Sequence, residues 1–308
     1  MSILDWTPGA FRDRVRGGVR AEGLAGPRPG RGRHSALLRP HMVTGTTVVG
    51  ILVLAALLAP LLAPSAPDLV QPALRLQAPG PGHPFGTDTF GRDLFSRVLY
   101  GARLALAMSL GAVCLSAVPG TLLGLLAGYH RGRFEQIASR AMDTWLAFPG
   151  LLLAIVLVAR MGPSLTATLV SLGIVGIPWY YRMARTGTLS ARHLPYVEAA
   201  QSLGARPWRV LLRHILPNIG SSLIVLSTLR LGTVLLAAGG LSFVGLGAQP
   251  PTPEWGALLA SGREYLDSAW WLAVFPGLAL TFSVMGFNLL GDGLRDLLAA
   301  AGGDGQRG

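Results

Sequence analysis

The chain has 308 residues, of which 51% are hydrophobic and only 13% are charged, and its formal net charge is +11. Soluble domains carry about a quarter charged residues, so this composition indicates a protein whose surface largely faces lipid. All 26 basic residues are arginine, and the absence of lysine excludes both a Walker A phosphate loop and lysine Schiff-base chemistry.

The N-terminal segment, residues 1–41, is polar, rich in Gly and Pro, and carries eight arginines without an apolar period. Such a composition cannot bury enough apolar surface to fold, so we expect a disordered basic cytoplasmic tail. Juxtamembrane arginines are attracted to anionic lipid, and we therefore expect this tail to contact membrane lipid and not nucleic acid. The first transmembrane helix is predicted at residues 42–63, an uncharged run long enough to cross a bilayer.

Five further apolar segments predict an all-α polytopic membrane protein with about six transmembrane helices. We expect a periplasmic loop at residues 64–100, a transmembrane core at 101–291 and a cytoplasmic C-terminal tail at 292–308. The later spans are predicted at about residues 102–127, 144–159, 165–181, 222–244 and 270–290. Several glycines in the second and fifth spans are expected to pack helices closely: Gly111, Gly120, Gly124, Gly232, Gly239 and Gly240.

The distribution of arginine orients these spans. With an even number of crossings, residues 1–41, 128–143 and 182–221 lie on the same side as the C-terminus, and they carry eight, three and six arginines. Because arginine-rich loops remain in the cytoplasm, both termini are predicted to be cytoplasmic.

The longest internal polar stretch, residues 182–221, predicts two short helices that meet at a glycine. A helical period of apolar residues indicates an amphipathic helix around residues 195–203, and Gly204 would end it because glycine readily adopts a positive φ. Pro207 suits the first turn of a second helix, which Pro217 would end.

The function of this loop has two interpretations from its pattern alone. The second helix would present apolar side chains on one side, and a pair of such helices can lie on lipid. Those side chains are Trp208, Leu211, Leu212 and Ile215. The other interpretation is a docking element for a cytoplasmic partner, with Glu198 as the single acidic residue in a basic loop.

The same loop resembles the EAA motif of ABC importer permeases, which reads EAA, three residues, G, nine to ten residues and then I-x-LP. The matching residues are Glu198-Ala199-Ala200, Gly204 and Ile215-Leu216-Pro217. Ile215 directly precedes Leu216, which is a small departure from that spacing.

Three further stretches are similar to the dipeptide/oligopeptide/nickel permease family, in the type that forms the second permease of each pair. They are His83–Asp88 with Gly91–Asp93, Leu241–Gly247 with Pro250–Gly256, and Asn288–Asp296. The resemblance runs over about residues 42–298.

The resemblance implies the fold of a type I ABC importer permease in a bacterial inner membrane. Such a permease forms half of the transmembrane path for peptides and pairs with a second homologous permease as a heterodimer. Two cytoplasmic ATPase subunits bind the ATP, so no cofactor is expected on this chain, and an extracytoplasmic solute-binding protein delivers substrate. The resemblance also implies that the EAA loop couples to an ATPase, with Glu198 in an ion pair and Gly204 allowing the bend.

Arg230 places a charge inside the fifth predicted span, roughly 12 Å from its start. Three interpretations remain open: a group in the substrate path, a contact with the partner permease, or a side chain that snorkels to the cytoplasm.

The same residues bear on other possible functions. A nickel- or other solute-specific permease of the same family is an alternative. An ion-coupled secondary transporter would need acidic residues within the spans, and none of the six contains a clear interior Asp or Glu. A membrane-embedded enzyme would need a catalytic constellation, and none is found. The six histidines and the single Cys114 have no metal-ligand spacing, so no metal site is expected.

Overall fold

The computed structural model describes residues 40–304, and over these residues the chain forms nine α-helices. They are α1 (Pro40–Leu62), α2 (Leu94–His130), α3 (Gly132–Ala147), α4 (Gly150–Met161), α5 (Leu165–Ala191), α6 (Pro195–Ser202), α7 (Pro207–Phe243), α8 (Trp255–Gly262) and α9 (Trp271–Asp304). Short 3₁₀ turns occur at Pro72–Leu74 and Arg263–Tyr265. The predicted tail of residues 1–41 lies outside the described residues, except that Pro40 and His41 open α1.

The membrane character of this helical fold agrees with the prediction. Within residues 40–304, four helices (α1, α2, α7 and α9) are long and apolar enough to cross a membrane, and the bent pair α3–α4 would make a fifth span. α5 covers the predicted span at 165–181 and has 27 residues, but the polar run from Trp179 to Arg182 shortens its apolar part. The count is therefore four or five by length and composition, where about six spans were predicted.

The predicted span at residues 144–159 is broken. Thr144 belongs to α3, and the chain bends by 90° before α4 starts at Gly150. Phe148 has a ψ of 138° and Pro149 a φ of −58°, because a proline excludes the helical conformation from the residue before it. α3 is amphipathic and has no buried residue, and α4 has only 12 residues.

Two helices extend past the predicted domain boundaries. α2 begins at Leu94, inside the expected loop 64–100, because Asp93 caps it by accepting a hydrogen bond of 2.7 Å from the Ser96 backbone N–H. The expected C-terminal tail at 292–308 begins as a continuation of α9. At Gly293 the backbone of α9 still lies directly against α1, because a Cβ added to this glycine would be 2.9 Å from the Met42 Cα.

Glycines on α2 allow its close packing against α5. A Cβ on Gly120 would come within 2.6 Å of the Ile177 carbonyl oxygen, and one on Gly124 within 2.5 Å of the Tyr181 carbonyl oxygen. Of the six glycines expected to pack helices closely, Gly240 alone has no atom within 4 Å of the position of its Cβ.

Buried residues form three clusters over the described chain. One lies between α1, α2, α8 and α9, and a second lies between α2, α4, α5 and α7. The third joins the ends of α2 and α5 to α6 and the first part of α7. Large apolar side chains remain exposed along α1, among them Ile51, Leu54, Leu57 and Leu61, as expected of a helix that faces lipid or another membrane subunit.

The segment between α1 and α2 is held to the helices by polar contacts. Arg97 is 3% exposed and donates to the carbonyl oxygens of Pro67 at 2.9 Å and Pro251 at 3.2 Å. Its Nε lies 3.7 Å from Oδ2 of Asp88. Thus this buried arginine has partners on three sides.

Candidate functional site

A helical hairpin, residues 192–217, lies between α5 and the long apolar part of α7. α6 begins at Pro195, whose fixed φ suits a first helical turn, and ends at Ser202. α7 begins at Pro207 in the same way. The structure therefore contains the two short helical arms, with α6 within one residue of the predicted 195–203.

The turn of the hairpin is a Schellman motif centred on Gly204. Gly204 has a φ of +79°, and its N–H donates to the Gln201 carbonyl at 2.9 Å. The next N–H, of Ala205, donates to the Ala200 carbonyl at 3.0 Å. This pair of bonds satisfies the last carbonyls of α6 and requires a left-handed residue at the position of Gly204. Nothing lies within 4 Å of a Cβ built there, so only the backbone conformation selects glycine.

The inner side of the hairpin is packed on the ends of α2 and α5. Its buried apolar side chains are Val197, Val210, Leu211 and Ile215, and they share a cluster with Ile219, Leu125, Ala184 and Ala191. Burial of a side chain of this size contributes about 1.5–3 kcal/mol, so this cluster fixes the hairpin against the helical bundle.

The outer side of the hairpin is exposed. The Glu198 side chain is 60% exposed, and the His193 Nδ1 atom lies 3.6 Å from its Oε1, beyond hydrogen-bond distance. Leu203 is 88% exposed at the turn and Trp208 is 55% exposed on the second arm. The hairpin thus presents one carboxylate, several exposed large apolar side chains that include Leu203 and Trp208, and a number of basic side chains.

The predicted apolar side of the second arm was half wrong. Leu211 and Ile215 are buried as expected, whereas Trp208 and Leu212 are exposed, and Val210 takes the inner position. Residues Leu211–Ile215 form a π-helical turn. Its wider turn shifts the angular register that an α-helical pattern assumes.

The prediction that Pro217 ends the second arm was also wrong, because α7 runs continuously from Pro207 to Phe243. The π turn accounts for this. Leu216 N–H donates to the Leu211 carbonyl, five residues earlier, so the backbone is already widened where the proline ring would otherwise strike the preceding turn. The hairpin is therefore directly continuous with a membrane-length helix.

The motif residues divide between the two sides of the hairpin. Glu198, Ala199, Gly204 and Pro217 are exposed, Ile215 is buried, and Ala200 and Leu216 are half-buried. Asn218 Nδ2 also donates to the Tyr196 hydroxyl at 3.1 Å, which ties α6 to the base of α7. Such a surface can bind a protein; it holds no nucleophile–base pair, and no group of three or more metal-ligating residues occurs within residues 40–304.

Arg230 lies far from the hairpin, at the middle of the segment Leu216–Phe243. Its guanidinium carbon is 5.7 Å from the ring centroid of Trp179 on α5, so the side chain lies against α5 at this depth of the helix. Its Nη2 lies 3.4 Å from the position of a Cβ on Gly176.

A cavity of about 380 Å³ adjoins Arg230, between α4, α5, α7 and the α3–α4 bend. Trp145, Phe148, Trp179 and Thr233 also line it. The pattern of residues pointed to Arg230 but not to these aromatic residues. Their only signal was Pro149, since the bend that it imposes brings Trp145 and Phe148 to the cavity.

The family described as "Binding-protein-dependent transport system inner membrane component" matches residues 120–301, a range that includes the hairpin, Arg230 and the cavity. Among solved structures, the inward-facing MetNI methionine ABC transporter superposes with a TM-score of 0.53 at 20% identity, covering 66% of this chain and 96% of that chain. This likeness concerns the fold alone.

Curated relatives cover most of the chain. The dipeptide transport system permease protein DppC of Alkalihalophilus pseudofirmus is 44% identical over 256 residues, 83% of this chain and 84% of the relative. The probable D,D-dipeptide transport system permease protein DdpC of Escherichia coli K12 is 42% identical over 267 residues, 87% and 90% of the two chains. The glutathione transport system permease protein GsiD of Escherichia coli O1:K1 is 45% identical over 262 residues, 84% and 86%.

Proposed function

Because the chain belongs to the family of binding-protein-dependent transport system inner membrane components, we propose that it is one permease subunit of an ABC importer. It forms half of a transmembrane path together with a second homologous permease. Two ATPase subunits supply the energy from the cytoplasmic side, and an extracytoplasmic solute-binding protein delivers the substrate. Both termini are cytoplasmic in this arrangement, in a bacterial inner membrane.

Peptides are the proposed substrates. The named relatives transport dipeptides, D,D-dipeptides and glutathione, and these solutes share a peptide-type amide bond and at least one free carboxylate. A permease for nickel or another solute is the alternative within the family, but none of these three relatives carries that name.

The observation that carries the proposal is the construction of the hairpin. Its inner side is buried on α2 and α5, its outer side presents Glu198, Leu203 and Trp208, and its second arm continues as a membrane-length helix. The inner side of such an element is fixed to the helices, and its outer side is free to bind a partner. A movement of that partner can therefore be passed to the helices as a rigid-body motion. Glu198 pairs with a basic group of the ATPase, and the two apolar side chains surround that ion pair.

The proposal is tested with the tagged full-length chain, coexpressed with its second permease and the ATPases, and purified in detergent. Wild type is expected to retain both ATPases and to show peptide uptake in proteoliposomes with ATP and the binding protein. Loss of one partner of a desolvated interfacial charge pair costs about 2–5 kcal/mol. Glu198→Ala should therefore weaken ATPase retention at least about tenfold.

The matched control is Gln201→Ala, an exposed residue on the same short helix. It should retain the ATPases as wild type does, and both variants should express and unfold like wild type because neither side chain is buried. Full ATPase retention and full coupling in Glu198→Ala would show that this carboxylate is not the contact. Failure of the wild-type chain to retain any ATPase would refute the importer assignment itself.

A further inference from the structure

Arg230 is an isolated charge in the middle of an apolar helix. It is the only Asp, Glu, Lys or Arg between Arg213 and Glu254. It lies about 21 Å along the helix from Leu216 at the rise of an α-helix, near the midpoint of Leu216–Phe243. A charged side chain at this depth is costly and calls for a partner or a function.

The described residues do not neutralise this charge. No carboxylate of the described residues lies within salt-bridge distance of the guanidinium, and Nε is buried without a hydrogen-bond acceptor. Among the described residues, the ring face of Trp179 lies 5.7 Å from the guanidinium carbon and favours the cation. Arg97, which is buried, has Asp88 and two backbone carbonyls as partners. Unlike Arg97, Arg230 therefore has a guanidinium whose anionic partner is not among the described residues.

The side chains that line the cavity beside Arg230 suit a negatively charged ligand. Among the described residues that line it, Arg230 is the only charged one and none is Asp or Glu. Trp145, which lines the cavity from the end of α3, likewise has a buried indole N–H without an acceptor among the described residues. Trp145, Phe148 and Trp179 supply aromatic surface. The cavity therefore combines a cationic lining residue with apolar walls, which suits an anionic acceptor attached to an apolar body.

We propose that Arg230 binds the carboxylate of the transported peptide during its passage through this subunit, in the cavity that Trp145, Phe148 and Trp179 line. This inference rests on the proposed function. The planar guanidinium can hold a carboxylate with two parallel hydrogen bonds, a geometry that an ammonium group lacks. It also repels the peptide's ammonium terminus, so the peptide enters the cavity with its carboxyl end toward α7.

A carboxylate of a neighbouring subunit offers the same chemistry, and the experiment separates the two sources. The purified complex of both permeases and the ATPases, without the binding protein, is titrated with Ala-Ala-Ala and with its C-terminal amide in equilibrium dialysis. The variants are Arg230→Gln, Arg230→Lys and, as a matched loss of charge, Arg160→Gln at the exposed end of α4. Subunit composition of each complex is measured in parallel.

Wild type and Arg160→Gln should bind the free peptide about ten- to a hundredfold more tightly than the amide, as expected for a charge-assisted hydrogen bond. Arg230→Gln should abolish that preference with the complex intact, and Arg230→Lys should keep part of it. Equal binding of both peptides by wild type, no binding of either, or an unchanged preference in Arg230→Gln would overturn the inference. Loss of the second permease from Arg230→Gln would assign the arginine to a subunit ion pair instead.

Uptake into proteoliposomes distinguishes these outcomes from a failure of the proposed function. If the wild-type importer takes up peptide but shows no carboxylate preference within the complex, only the role of Arg230 is wrong. If it takes up no peptide, the substrate assignment is wrong and the inference fails with it.

Discussion

Substitution of Gly204 by alanine should loosen the hairpin without unfolding the protein. Gly204 has a φ of +79°, with open space around its Cβ position, so the added methyl meets no atom and only the backbone conformation is penalised. A left-handed conformation costs an L-residue about 1–2 kcal/mol. The lower entropy of alanine in the opened hairpin offsets about 0.4–1 kcal/mol of that cost. The net destabilisation of the closed hairpin is therefore about 1 kcal/mol, or about a fivefold increase in its opening.

Hydrogen exchange of the Gly204 and Ala205 amides measures this opening, because both donate to carbonyls of α6 only while the turn is closed. Gly204→Ala should exchange there about fivefold faster, with unchanged exchange in α2 and α5. Gly220→Ala is the control: that site also has open space, but it lies inside α7 without a positive φ, so alanine should leave the hairpin unchanged. Exchange in Gly204→Ala that equals wild type would refute the assignment of the turn.

Two further predictions concern the junction between α7 and α8. Gly256→Ala should lower the thermal unfolding midpoint in detergent, since its methyl would overlap the Gly239 carbonyl oxygen at a cost of about 1–3 kcal/mol. The control Gly240→Ala, which has open space around its Cβ position, should leave the midpoint unchanged. Equal midpoints for the two variants would contradict this close packing of Gly256 on Gly239. Burial raises the pKa of Glu254, although hydrogen bonds from the backbone of Gly256 and Ala257 and from the Ser242 side chain oppose the shift. Because the folded pKa of Glu254 lies above its unfolded value, stability should fall as pH rises from the usual carboxyl pKa to the raised one and then level off. Glu254→Gln should remove that fall when thermal melting is measured as a function of pH. A pH profile of Glu254→Gln equal to that of wild type would contradict the raised pKa.

The helical membrane fold was predictable because lipid requires every backbone polar group to be satisfied within a helix, which leaves long uncharged runs as a direct signal. The effects of individual prolines were not predictable from the same signal. Pro149 breaks the predicted span 144–159, whereas Pro217 leaves α7 continuous. The difference arises from a π turn before Pro217, and a pattern with a fixed period of 3.6 residues does not reveal such a turn.

The candidate site was predictable in part. The amphipathic period and the glycine correctly indicated a hairpin between residues 195 and 217, because both are local properties of the chain. The division of the motif between an exposed Glu198 and a buried Ile215 depends on contacts with α2 and α5, which are distant in sequence. The aromatic walls of the cavity were missed for the same reason, since Trp145, Trp179 and Arg230 come from three different helices.

The continuity of α7 connects the two proposed sites mechanically. Val210 is buried in the hairpin cluster, and Arg230 lies beside the cavity on the same helix, about 30 Å away at 1.5 Å per residue. A rigid helix that tilts by about 10° about its hairpin end moves a point at that distance by about 5 Å, comparable to the distance between Arg230 and the Trp179 ring. Had Pro217 ended the second arm, a flexible joint would have separated the hairpin from Arg230. The continuous helix instead lets a displacement imposed on the hairpin change the distance between the guanidinium and the aromatic wall, which is the change that release of a bound carboxylate requires.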